Sequence, residues 1–216
     1  MVEPALIFTT SFFVAFSGAL MPGPLTAVTV EHAFRRGYPA APLVTLGHGL
    51  LEAAVVVLLL VGLGDYLARP AVTGIIGLAG GLVLAWMGYG MIRGALAGKL
   101  SLKGSGGKGR AGRSPFWGGI IATATNPYWF LWWGTIGASY VALSRHHGYS
   151  GVALFFSGHI LADFLWFSLL ALVLVTGKRW LTDAVYRWII FGLGLFLGLF
   201  SLYFFWWGLK IFLGPA

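Results

Sequence analysis

Apolar residues along this chain fall into six long runs separated by short polar segments. The runs lie near 5–31, 43–63, 71–93, 116–142, 151–176 and 188–212. Each is long enough to cross about 30 Å of hydrocarbon as a helix, which rises about 1.5 Å per residue. The runs lack the apolar and polar alternation of barrel strands, and an open sheet edge in lipid leaves backbone groups unpaired. The pattern therefore predicts an all-α protein with six transmembrane helices.

Composition agrees with a membrane protein, since 58% of the 216 residues are hydrophobic and only 9% are charged. The chain has no cysteine, which excludes disulfides, thiolate metal sites and thiol redox chemistry. The net charge of +8 comes from basic residues in short loops, where they set membrane orientation. We therefore expect no binding of nucleic acid.

Alternate loops differ in basic residues, with 11 Lys and Arg on one side and 3 on the other. Cytoplasmic loops carry the excess of Lys and Arg. This predicts a protein of the cytoplasmic (inner) membrane with both termini outside the cytoplasm. No Lys or Arg precedes Arg35, so the first run is expected to remain as a transmembrane segment rather than a cleaved signal peptide.

A basic segment rich in glycine and serine, residues 96–114, divides the chain. We expect it to be a flexible cytoplasmic linker between a first repeat at 1–95 and a second at 115–216. Each repeat has three helices, an odd number, so the second enters the membrane from the opposite side. The sequence therefore predicts an inverted repeat within one transport domain, with its site near the midplane.

One pattern occurs twice in the apolar runs: a Gly-His pair with an acid four residues after the histidine. The copies are Gly47-His48 with Glu52 and Gly158-His159 with Asp163, and they lie 111 residues apart. Side chains four apart share a helix face. Because ionisable residues inside a membrane are costly, the motifs predict a pathway for a proton, a metal ion or a substrate ammonium group. Simple hydrogen-bonded pairs that hold helices together are the alternative interpretation.

The first helix of each half carries a second pattern, built on proline. Met21-Pro22-Gly23-Pro24 and Thr125-Asn126-Pro127 lie within apolar runs. Proline removes a backbone donor and interrupts a helix, and broken helices inside membranes line polar cavities. We therefore predict broken first helices whose ends contribute to a binding site.

Glycines and tryptophans carry weaker signals. The glycines of the third and sixth runs predict close helix packing. They are Gly74, Gly77, Gly80, Gly81, Gly88, Gly90, Gly192, Gly194 and Gly198. Tryptophans of the fourth and sixth runs are interpreted chiefly as anchors at the membrane interface, and alternatively as the lining of a pathway. They are Trp129, Trp132, Trp133, Trp206 and Trp207.

The chain resembles the lysine exporter and homoserine/threonine resistance (LysE/RhtB) family. The resemblance rests on Pro22-Gly23-Pro24, Gly47, Asn126-Pro127 and the six-helix length. It implies an inner-membrane exporter of amino acids, driven by the proton gradient and homodimeric. It further implies that Pro22, Gly23, Pro24, Asn126 and Pro127 form the broken-helix elements of the transport site.

The predicted function is proton-coupled export of amino acids or similar small zwitterionic or cationic solutes. His48, Glu52, His159, Asp163 and Asn126 would line the substrate and proton pathway, with the proton as coupling ion and no further cofactor. Besides this small-molecule substrate, membrane lipid is the expected partner.

Two other functions use the same groups. Imidazole and carboxylate also suit borderline divalent metals. The wider superfamily implied by the resemblance includes metal exporters. A divalent transition-metal exporter with His48, Glu52, His159 and Asp163 as ligands is therefore the alternative. An intramembrane metal-dependent enzyme is less favoured, because no HExxH or serine nucleophile motif accompanies the histidines.

Overall fold

The computed structural model describes residues 4–62, 66–67, 69–98, 114–177 and 182–214, and none of these lies in a strand. The predicted linker at 96–114 falls largely outside the described residues. The helices, in chain order, are α1 (Pro4–Ala19), α2 (Pro24–Arg36), α3 (Ala40–Leu60), α4 (Pro70–Leu96), α5 (Pro115–Ala124), α6 (Pro127–Trp132), a π-helix (Trp133–Gly137), α7 (Ala138–Arg145), α8 (Gly148–Gly177) and α9 (Asp183–Leu213). The predicted all-α fold is confirmed.

Four helices, α3, α4, α8 and α9, are long and apolar enough to cross a membrane. Helices α1 and α2 give a fifth span if they count as one, and they meet at an angle of 81°. The fourth predicted run is divided among α5, α6, the π-helix and α7. Several apolar helices thus indicate a multi-pass membrane protein, and the described residues form four or five of the six predicted spans.

Proline marks the predicted breaks. It occupies the first turn of α2 and of α6, where backbone N–H groups have no partner within the helix, so the N–H that proline lacks is not needed. Pro22 and Gly23 separate α1 from α2, and Thr125 and Asn126 separate α5 from α6. The interruptions therefore lie where the sequence predicts them.

Helices α4 and α9 form a long antiparallel pair along a surface of glycines. Gly77 lies against the backbone of Gly208, and Gly88 lies against Gly194. Without side chains, the backbones approach closely, which favours packing where lipid gives no hydrophobic drive. The glycine prediction is confirmed at these positions, whereas the Cβ positions of Gly90, Gly192 and Gly198 face open space.

Two further helix pairs place the candidate site, α3 against α5 and α1 against α8. Gly47 of α3 lies directly on the carbonyl of Phe116 in α5, and a Cβ there would collide with it. Gly158 of α8 lies in the same way on the carbonyl of Phe8 in α1. The glycine before each motif histidine is therefore a point where two helix backbones touch.

Candidate functional site

The two Gly-His motifs come together in the interior. His48 Nε2 on α3 and His159 Nε2 on α8 each lie 3.0 Å from Glu52 Oε1. Asp163 Oδ2 lies 3.4 Å from His159 Nε2 and 3.8 Å from His48 Nε2. All four side chains are buried. Each histidine therefore approaches the acid of the other motif as well as its own.

Glu52 is the centre of this cluster, and its two oxygens differ. Oε1 accepts a hydrogen bond from the indole N–H of Trp133 at 3.2 Å, in addition to its contacts with His48 and His159. Oε2 is buried and has no hydrogen-bond partner. The contacts at Oε1 therefore orient the carboxylate, and Oε2 remains available to accept a hydrogen bond.

A hydroxyl behind His48 fixes a hydrogen on one of its two ring nitrogens. The Thr123 hydroxyl donates its only hydrogen to the carbonyl of Gly119 at 2.8 Å. Its oxygen lies 2.8 Å from His48 Nδ1 and must therefore accept from it. His48 thus holds hydrogen on Nδ1 and directs Nε2 toward Glu52 and Asp163.

His159 is held differently. Its Nδ1 is buried with no hydrogen-bond partner. Its ring packs among indoles, with centroid distances of 4.8 Å to Trp132 and 5.2 Å to Trp133. The two motif histidines, equivalent in sequence, therefore have unequal surroundings.

The helix breaks lie beside the cluster. The side-chain oxygen of Asn126 accepts from the Tyr128 amide at 3.1 Å and so caps α6. The Asn126 amide nitrogen lies 3.6 Å from where a Cβ of Gly23 would stand. Gly23 precedes α2 without a side-chain cap. The two predicted breaks, one from each half, thus meet.

A cavity of about 50 Å³ joins the cluster to the breaks. A buried water needs at least about 10–15 Å³ on this measure, so the cavity has room for a few waters. Its lining residues come from the ends of the broken helices, from both motifs and from a group of aromatic side chains. They are Ala15, Gly18, Ala19, Met21, Gly23, Leu25, Thr26, His48, Glu52, Asn126, Tyr128, Trp129, Trp132, Trp133, His159, Asp163 and Phe167.

Comparison with known proteins decides the family. The model of the LysE type translocator family matches residues 16–208. The chain belongs to the LysE type translocator family. It is therefore a membrane transporter rather than an enzyme, as the sequence predicts.

Two relatives are informative about this translocator. It is 28% identical over 161 residues to the "Chemotactic transduction protein ChpE" of Pseudomonas aeruginosa, covering 74% of this chain and 78% of the relative. It is 23% identical over 209 residues to the "Putative amino acid efflux protein YcgF" of Bacillus subtilis, covering 96% and 99%. No solved structure matches the chain.

Most of the predicted site residues of the translocator line one cavity. His48, Glu52, His159 and Asp163 form the cluster, and Asn126 and Gly23 lie beside it. The remaining prolines, Pro22, Pro24 and Pro127, are not among the lining residues and lie at the helix breaks. Pro127 packs against Gly80 of α4.

The favoured interpretation of two tryptophans is wrong, and the partner of Thr123 was not predicted. Trp132 and Trp133 are not interfacial anchors, because both are buried inside the protein and line the cavity. The pairing of Thr123 with His48 follows only from the crossing of α3 and α5. The sequence offered one signal for a tryptophan at this site, namely that a tryptophan pair follows closely after Asn126-Pro127.

Proposed function

We propose that this translocator exports amino acids, or similar small zwitterionic or cationic solutes, across the cytoplasmic membrane in exchange for protons. The observation that carries the proposal is the convergence of His48, Glu52, His159 and Asp163 on one buried cavity. Buried ionisable side chains in a transporter are typical of ion and substrate pathways. The name of the Bacillus subtilis relative refers to amino acid efflux and supports this substrate class.

The proposal includes an inverted repeat of residues 1–95 and 115–216. In the first repeat α3 carries Gly47 and packs on α5 of the second. In the second repeat α8 carries Gly158 and packs on α1 of the first. Such reciprocal contacts are expected when two halves of opposite orientation meet around one site. With both first helices broken, the repeats supply six spans.

The carboxylates are the proposed proton acceptors. Glu52 and Asp163 have imidazole neighbours, and an imidazole can both accept and donate a proton and so relay it. The N-terminus of α2, at Leu25 and Thr26, borders the same cavity. Its partial positive charge suits the substrate carboxylate. Proton and substrate would thus use one site in turn.

Apolar contacts lie on two sides of this cavity and suit alternating access. Leu25 and Phe167 belong to a cluster with Val44 and Ala122. Trp132 and Trp133 belong to a second cluster, with residues such as Ile7, Val55 and Phe155. We propose that these clusters separate in turn, opening the cavity to one side of the membrane and then to the other.

Orientation and assembly complete the proposal. The excess of Lys and Arg, 11 against 3, supports placing both termini outside the cytoplasm of an inner-membrane protein. A homodimer is proposed from the family resemblance. The outer faces of α4 and α9 carry exposed aromatic side chains, such as Trp86 and Trp206, that lipid or a second copy can cover.

Reconstitution into proteoliposomes tests the function. Glu52→Gln and Asp163→Asn remove the acids with little change in shape. We expect both to abolish proton-coupled amino acid flux while expression and folding remain normal. Glu31→Gln is the matched control, because Glu31 lies on α2, is half exposed and pairs with Arg35 at 3.1 Å. Normal flux in both cluster variants would refute the proposal.

The metal alternative has one observation in its favour. His48, Glu52 and Asp163 place possible ligand atoms within 4.8 Å of one another. However, Glu52 Oε1 already has three partners, and the comparisons favour amino acid transport. Calorimetry with zinc, nickel and cobalt separates the two functions. Stoichiometric binding that His48→Ala removes, without binding of amino acids, would reverse our choice.

A further inference from the structure

Two buried carboxylate oxygens in the cavity lining have no hydrogen-bond partner among the residues that the structure describes. They are Glu52 Oε2 and Asp163 Oδ2, on residues that are each only 2% exposed. Asp163 Oδ2 lies 3.4 Å from His159 Nε2 without a hydrogen bond to it. Buried acceptors without partners are unfavourable, and a ligand with N–H donors relieves them.

The rest of the lining suits a cation. Tyr128, Trp129, Trp132 and Trp133 present aromatic surfaces, and aromatic faces attract organic ammonium groups. No Lys or Arg is among the described residues that line the cavity. For an anionic group the lining offers the Asn126 amide, the unpaired indole N–H of Trp129 and the N-terminus of α2, and none of these carries a full positive charge.

Building on the proposed function, we infer that the cavity recognises the ammonium end of its substrate, with Glu52 Oε2 and Asp163 Oδ2 as acceptors. A charge-assisted hydrogen bond changes affinity by about tenfold or more. A helix N-terminus changes it by only about two- to fivefold. The ammonium group therefore dominates recognition, and the carboxylate contributes less. One acceptor comes from each half of the chain, so binding draws the halves together.

Trp133 is the positioning residue in this arrangement. Its N–H holds Glu52 through Oε1 and thereby leaves Oε2 for the ligand. The ring fits only because residue 137 is glycine, since a Cβ there would lie 2.5 Å from Trp133 Cε3. Gly134, in the same π-helix, has no atom closer than 3.9 Å to its Cβ position. A side chain at residue 137 would therefore displace the Trp133 ring, whereas one at residue 134 would not.

The first experiment measures ligand preference on the purified, full-length protein. Thermal-shift measurements with the twenty amino acids identify the strongest binder. Its methyl ester, which keeps the ammonium group, and its N-acetyl form, which keeps the carboxylate, are then titrated by calorimetry. We expect the ester to bind within about fivefold of the amino acid and the N-acetyl form at least about tenfold more weakly.

The outcomes separate this inference from the proposed function. If the N-acetyl form binds as well as the amino acid and the ester does not, ammonium recognition is wrong while amino acid transport stands. If no amino acid binds and none is transported, the proposed function fails first.

The second experiment tests Trp133. Trp133→Phe keeps an aromatic ring but lacks the N–H, and we expect it to bind the same amino acid about tenfold more weakly. We expect Gly137→Ala to weaken binding similarly, and Gly134→Ala to leave it unchanged. An NMR spectrum of the indole N–H groups adds a signature independent of binding. The Trp133 signal, assigned by its loss in Trp133→Phe, should move in Glu52→Gln. A signal that does not move, or equal effects of both glycine variants, would overturn the positioning role.

Discussion

Replacing Thr123 by valine tests the pairing that orients His48. The change keeps the shape of the side chain but removes the oxygen that accepts from His48 Nδ1 at 2.8 Å. Leaving a buried donor unpaired costs about 1–3 kcal/mol. Side-chain hydrogen bonds in membrane proteins average only about 0.6 kcal/mol and reach about 1.7, because the unfolded chain in the membrane finds other partners. We therefore expect a loss of about 1–1.7 kcal/mol in the free energy of unfolding.

Thr125→Val is the matched control for this measurement. Thr125 lies in the same segment and donates to the carbonyl four residues earlier, as Thr123 does. It does not contact His48 in the structure, so we expect a change within about 0.5 kcal/mol. Reversible unfolding in mixed micelles, followed by circular dichroism, gives both values. Equal losses in the two variants would refute the pairing of Thr123 with His48.

Three further predictions concern helix contacts and caps. Gly47→Ala places a methyl group against the Phe116 carbonyl, and this overpacking should lower the free energy of unfolding by about 1–3 kcal/mol. Gly90→Ala is the control and should be neutral, because the position has open space beside it. Unfolding measurements on both variants test this. Gly158→Ala should behave like Gly47→Ala, since it meets the Phe8 carbonyl, and neutral behaviour would show that the two helix contacts are not alike. Asn126→Ala and Thr182→Ala each remove an N-cap, so each should lower the free energy of unfolding by about 1 kcal/mol. Only Asn126→Ala should slow transport in proteoliposomes, because Asn126 lines the cavity and Thr182 does not.

Much of this fold could be predicted from local sequence. Long, continuous apolar runs identify membrane helices, because a backbone in lipid must satisfy its own hydrogen bonds and the closed barrel that also does so needs alternating polar and apolar residues. Pro22 and Pro127 mark interruptions because proline lacks a donor. The angle of 81° between α1 and α2 could not be predicted, since it depends on which helices each piece packs against.

The candidate site could be predicted only as far as its charged members. His48, Glu52, His159 and Asp163 stand out because such residues are rare in membrane segments. Trp133 does not, because tryptophan is equally common at membrane interfaces. The position of the Trp133 side chain depends on the π-helix, and no residue pattern predicts where that π-helix lies. Long-range contacts between halves decide such roles, and they are set by packing rather than by local propensity.

The glycine contacts at Gly47 and Gly158 bear on the rate of transport. A cavity of about 50 Å³ is too small for most amino acids, so α3 must part from α5, or α8 from α1, before a substrate enters. At Gly47 backbone meets backbone, and at Gly158 the nearest atoms are the Phe8 carbonyl and the small Ser11 hydroxyl. No large side chain has to change rotamer at these two points when the helices part. We therefore expect turnover to be limited elsewhere, where large side chains such as Ile7 and Phe155 pack together.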